Sequence, residues 1–158
     1  MGQPVPDLRS TTPELWAALG SIGSQVAELG MDPRLRELLR LRASQLNECD
    51  YCVALHTRTA RSNGEQEERI TALGRWRESP LFDGRDRAAL ALVEELTLLE
   101  GRVHEARAEA RELLDDAELA AVVWTAATIA AWNRLAIATS MDACRLPSPQ
   151  PPPGRAAA

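Results

Sequence analysis

Apolar residues recur along most of the chain at intervals of three and four, with polar residues between them, which is the pattern of amphipathic helices. No segment alternates apolar and polar positions with the β-branched enrichment that a half-buried strand carries. The stretch "TTPELWAALGSIGSQVAELG" opens with Thr12 as a candidate N-cap and Pro13 at the first helical position, and closes on Gly30. "DPRLRELLRLRASQLN" repeats the device with Asp32 and Pro33, and Leu35, Leu38, Leu39, Arg42 and Leu46 lie near helical spacing. A third helix is expected over residues 50–62, stopped by Asn63 and Gly64, and "EQEERITALGRW" is a shorter fourth. Turn residues 80–84 precede a helix of about four turns that ends by Gly101. "VHEARAEARELL" and the long, mostly apolar segment from Asp116 complete the set. The pattern predicts an all-α, compact single-domain bundle of about six to seven helices.

Composition narrows the picture. At 158 residues, 45% hydrophobic and 26% charged, the chain has material for one core, expected over residues 1–146. Residues 147–158, "PSPQPPPGRAAA", read as a Pro-rich disordered tail. The first residues carry no apolar leader, and no run reaches the roughly 18 uninterrupted apolar residues that span a bilayer, so no membrane partner and a cytoplasmic location are expected. A net charge of -5 argues against nucleic acid. The eighteen basic residues are all arginine, which excludes lysine Schiff-base chemistry.

Chemistry concentrates in "NECDYCVALHTRTA". Cys52 and His56, at i and i+4, lie on one helical face, where a thiol reaches an imidazole directly or through one water. Cys49, three residues earlier, is at the right distance for a disulfide across the first turn. A helix N-terminus and a neighbouring histidine both favour thiolate, so a depressed thiol pKa is expected, with Asp50 opposing it. Two adjacent thiols also allow the first, once oxidised to a sulfenic acid, to condense with the second. Glu37, on the preceding helix, is carried back against the cysteines by a short turn. The full spacing is Glu37, eleven residues, Cys49, two residues, Cys52, three residues, His56.

This arrangement, with "DPRLRELLRLRASQLNECDYCVALHTRTAR", "RWRESPLFDGRDRAALALVEELT" and "AAWNRLAIA", resembles the alkylhydroperoxidase D family, the redox-active branch of the carboxymuconolactone decarboxylase superfamily, over residues 13–141. The resemblance implies a thiol peroxidase with no cofactor, acting on organic or hydrogen peroxides. It implies Cys52 as the peroxidatic thiol, His56 as its proton partner, Glu37 as the base at the far end of the relay and Cys49 as the resolving thiol. It also implies a dithiol reductant, of dihydrolipoyl type in some members, and a homo-oligomer built as a dimer, trimer or hexamer. One position departs: the well-studied peroxidases carry histidine where this chain has Tyr51, whose phenol, with an ordinary pKa of about 10, does not carry protons near neutrality. Decarboxylases of the superfamily lack the cysteine pair that is kept here.

Other readings compete. The two thiols and His56 are also good zinc ligands, with Glu37, His104 or Cys144 as the fourth. Inert cysteines in a helical core are the blander alternative. His104 reads as a surface residue, Cys144 as a spare thiol near the tail, Trp124 and Trp132 as core or subunit contacts, and Asn133 and Arg134 as residues that cap, pair or line an interface, Arg134 with an acid. The apolar last helix needs cover on most faces, which favours a homo-oligomer.

Overall fold

Five of this protein's helices start where a short polar side chain or a proline stands in the sequence. The computed structural model describes residues 5–147. Its helices are α1 (Leu8–Thr11), α2 (Pro13–Ala27), α3 (Pro33–Leu46), α4 (Asp50–Ser62), α5 (Glu67–Ala72), continued by a 3-10 turn at Leu73–Arg75, α6 (Gly84–Leu98), α7 (Val103–Arg111) and α8 (Asp116–Ala138). The protein is all-α as expected, with no strand among the described residues. Of the expected tail, all but Pro147 lies outside the described residues.

Several boundaries follow from capping chemistry. The Asp32 carboxylate accepts from Arg34 N at 2.8 Å and Pro33 opens α3. Asp83 with Asp86, and Asp115 with Glu118, form reciprocal capping boxes at the starts of α6 and α8. Thr12 stands at the expected N-cap position of α2 with Pro13 opening the helix, but its side chain makes no capping bond. Its hydroxyl donates backwards to Leu8 O at 2.9 Å, because the preceding residues form the extra one-turn helix α1, capped by Asp7. The last helix stops at Ala138, before Ser140, whose positive φ of 52° ends it.

α3 is the hub, packed against α4, α6 and α8. Leu38, Leu39 and Leu41 of α3 meet Leu90, Leu92 and Val93 of α6 and Val122 and Ile129 of α8 in one buried cluster. By length and composition alone α8 could cross a bilayer, but here α2, α3, α4, α6 and α7 pack around it as the core helix. Its Val123, Trp124 and Ile137 remain exposed in the single chain. Trp132 does have a partner within the chain: its ring meets Trp16 of α2 edge to face, with centroids 4.7 Å apart. This contact ties α2 to α8.

The turn between α3 and α4 places the cysteines. Glu48 takes the left-handed conformation (φ 52°), Cys49 N donates to Ser44 O and Glu48 N to Gln45 O. This is a Schellman stop, with glutamate at the position where glycine is most common. It reverses the chain within three residues, so that Cys49 becomes the N-cap of α4 and α4 runs back along α3.

Candidate functional site

Glu37 lies on the face of α3 that α4 covers, and His56 lies one turn beyond Cys52 on the face of α4 that meets it. His56 Nδ1 is 2.8 Å from Glu37 Oε2, and Arg40 Nη1 donates to Glu37 Oε1 at 2.6 Å. Glu37 is only 2% exposed. Burial pushes its carboxyl up, but the His56 hydrogen bond and the Arg40 charge outweigh burial and hold it at about 2. A carboxylate that is ionised at neutral pH can only accept, so the shared proton sits on His56 Nδ1. The other ring nitrogen, Nε2, has no hydrogen-bond partner among the described residues and is the one available to take a proton in the cleft.

The cleft has a volume of about 710 Å³, within the range of small-molecule sites. Its polar floor holds Glu37, Arg40, Cys52 and His56, and Trp16, Leu55, Ile129 and Trp132 supply apolar walls. Cys52 lines this cleft and Cys49 does not. Both are 2% exposed and both are free thiols, packed with Ala136 and with the partly buried Tyr51 and Met141. Cys49 therefore stands behind Cys52 as seen from the cleft.

The expected depression of the Cys52 thiol is reversed. Burial, followed by contact with Cys49, pushes it up to about 12, and only the Asn133 amide pulls the other way. Desolvation of a thiolate in this small apolar cluster outweighs the helix N-terminus. Tyr51, in the place of the expected histidine, has its phenol raised by burial and then by Cys52, so it is no proton carrier near neutrality.

Asn133, expected to pair, does so here, with partners that its spacing does not identify. Its side chain, 1% exposed, accepts from Asn47 Nδ2 and donates to Ser44 Oγ, both at 3.0 Å, tying α8 to the end of α3 just before the cysteines. Asn133→Ala removes one partner from half-buried Asn47 and one from buried Ser44, which keeps its bond to Arg40 O, and should lower stability by on the order of 1 kcal/mol in urea unfolding. It should also raise the Cys52 thiol further, measured by alkylation rate against pH. Unchanged unfolding and alkylation would mean that the amide positions nothing.

The remaining candidates separate from the site. His104 and Cys144 are exposed, and Arg134 bonds Ala130 O at 2.8 Å instead of an acid. Among the described residues no group of three or more His, Cys, Asp or Glu is arranged to hold a metal ion, as the competing zinc reading would require.

Known proteins share this framework. The carboxymuconolactone decarboxylase family model matches residues 13–95, which include all four candidate residues. The uncharacterized protein YdfG of Bacillus subtilis is 37% identical over 105 residues, 65% of this chain and 71% of its own. The uncharacterized YnjA of Escherichia coli is 26% identical over 121 residues, 74% of this chain and 66% of its own. A crystal structure of ATU0492 from Agrobacterium tumefaciens, a protein of unknown function proposed to be the antioxidant defence protein AhpD, superimposes with a TM-score of 0.82 at 28% identity. That match covers 89% of this chain and 97% of the other. The family match spans the Glu37, cysteine and His56 elements, and the structural match spans the bundle that holds them: the chain belongs to the carboxymuconolactone decarboxylase family and has an alkylhydroperoxidase D-like fold.

Proposed function

We propose that the protein is a thiol-dependent peroxidase that cycles Cys52 and Cys49 between dithiol and disulfide. The observation that carries this reading is the single cleft onto which Cys52 and His56 both open, with ionised Glu37 fixing the imidazole and Cys49 directly behind. Glu37 is too weak a base, at about 2, to take a proton. Its role is to anchor His56 and stabilise the imidazolium, as the buried acid of a catalytic triad does.

His56 Nε2 takes the proton from Cys52, whose raised pKa keeps it a thiol at rest. The thiolate attacks one peroxide oxygen, a sulfur–oxygen bond forms and the oxygen–oxygen bond breaks. The leaving alkoxide receives the proton from His56 and departs as an alcohol. Cys49 sulfur then attacks the Cys52 sulfenic acid, a disulfide forms and water leaves. One peroxide is reduced and two thiols are oxidised, and a dithiol reductant restores the pair by exchange. A thiol that ionises only on contact with its base is shielded from adventitious oxidation between turnovers. Decarboxylation requires neither cysteine, so the pair itself favours the redox reading over the family's name.

Reduced, metal-free protein treated with one equivalent of cumene hydroperoxide tests the proposal. The expected result is a Cys49 to Cys52 disulfide by peptide mapping, with one equivalent of alcohol. Both thiols still free after minutes would sink it.

A further inference from the structure

Arg36 is a buried cation with no counter-ion among the described residues. It is 4% exposed and lines the cleft beside Glu37 and Arg40. Its only side-chain hydrogen bond among the described residues runs from Nη1 to Met31 O at 3.4 Å, and its Nε is buried with no partner. The acids nearest in sequence are committed elsewhere. Asp32 is held by the Arg34 side chain at 2.7 Å, and both Glu37 oxygens are taken, one by Arg40 and one by His56. Exposed Glu28 also lines the cleft but forms no ion pair with Arg36. Burial, then the charge of Arg40, pulls the Arg36 guanidinium below its usual range, against the weaker attractions of Glu37 and Asp32. A guanidinium this enclosed ordinarily has a carboxylate or phosphate in its fork. Arg40 adds to the demand, since only one of its nitrogens is bonded to Glu37.

The rest of the cleft is apolar, walled by Trp16, Leu55, Ile129 and Trp132. One end thus offers a desolvated cation and the remainder offers hydrocarbon surface. We infer that Arg36, with Arg40 beside it, forms a subsite for the carboxylate of an amphiphilic substrate whose apolar body lies along the cleft. A carboxylate is favoured over a bare inorganic anion because the apolar walls reward a ligand with a hydrocarbon chain. This rests on the peroxidase reading only for the reacting end, which would then be a hydroperoxide carried on an organic acid. The fork and carboxylate hold one end while Cys52 meets the other.

The test uses no peroxide and no thiol chemistry, so its failure is separate from failure of the disulfide cycle. Decanoate and 1-decanol are titrated below their micellar or solubility limits into the unmodified reduced protein by calorimetry. Decanoate should bind at least about tenfold more tightly, the scale of one charge-assisted pair. Equal affinities, or tighter binding of decanol, overturn the subsite whatever any variant does. Arg36→Leu, which removes a buried unpaired charge, should retain the thermal transition and decanol binding while losing the preference for decanoate. Arg36→Lys, keeping a charge but not the fork, should keep part of it. A decanoate preference that survives Arg36→Leu also overturns the assignment to this residue.

Discussion

Glu37→Gln should slow disulfide formation by about a thousandfold at neutral pH, with Cys49 and Cys52 both still present. In the native protein an ionised carboxylate can accept only, which fixes the proton on His56 Nδ1 and leaves Nε2 with its lone pair towards the cleft. An amide in the same place can turn its nitrogen towards the ring and donate. The imidazole then presents the wrong tautomer, and the imidazolium formed during proton transfer loses the negative charge that stabilises it. Single-turnover reaction with cumene hydroperoxide, followed by intact mass, measures the rate. A loss of less than about tenfold would mean that Glu37 serves structure alone, because a purely structural role leaves the chemical step of folded protein intact.

The same substitution has a signature in acid that a merely mispacked variant would not copy. The folded Glu37 carboxyl sits at about 2 against 4.5 for a free one. Its stabilisation is fully present above the unfolded value and is lost as pH falls from about 4.5 to about 2. By linkage the amount is on the order of 3 kcal/mol. The native protein should therefore lose stability steeply across that window, and Glu37→Gln, already destabilised by stranding Arg40, should lose less. Urea unfolding at a series of pH values measures both slopes. Parallel slopes would remove Glu37 as the titrating group.

What the sequence made legible was local. Helix periodicity, the Asp32 and Pro33 start, the Asn63 and Gly64 stop and the Glu37, Cys49, Cys52, His56 spacing all depend on neighbours within one or two turns, and the structure places the four side chains at one corner of the bundle. What escaped depends on partners far along the chain. Asn133 meets Asn47 and Ser44, 86 and 89 residues away; a polar residue in an apolar helix marks it as needing partners, but its neighbourhood does not say which. Arg34, Arg36, Arg40 and Arg42 share one helix, yet one pairs with Asp32, one is unpaired, one holds Glu37 and one reaches Glu94 at 2.5 Å. Spacing alone does not separate those fates. The raised thiol pKa is invisible in the sequence for a related reason. A helix dipole and a nearby histidine are visible in sequence, but the burial of Cys52 among Cys49, Ala136 and Met141 is set by where α8 ends.

Exchanging the two cysteines one at a time should give opposite and very large effects. Cys52→Ser should abolish peroxide consumption in the cleft, because Cys49 lies behind position 52 and neither it nor exposed Cys144 lines the cleft. Cys49→Ser should keep the first chemical event and lose the second. Cys52, its base and the cleft are unchanged, so one equivalent of peroxide is still reduced, and the sulfenic acid has no neighbour with which to condense. Its mass should rise by one oxygen, react with a dimedone probe and then climb to sulfinic acid under excess peroxide. Serine at 49 keeps a polar atom at the N-cap of α4, so the helix start is preserved. The two variants decide the order of attack: sulfenic acid trapped at position 49 in Cys52→Ser, with none at position 52 in Cys49→Ser, would reverse the roles. That outcome would require the cysteine turn to open so that peroxide reaches the buried side of Cys49.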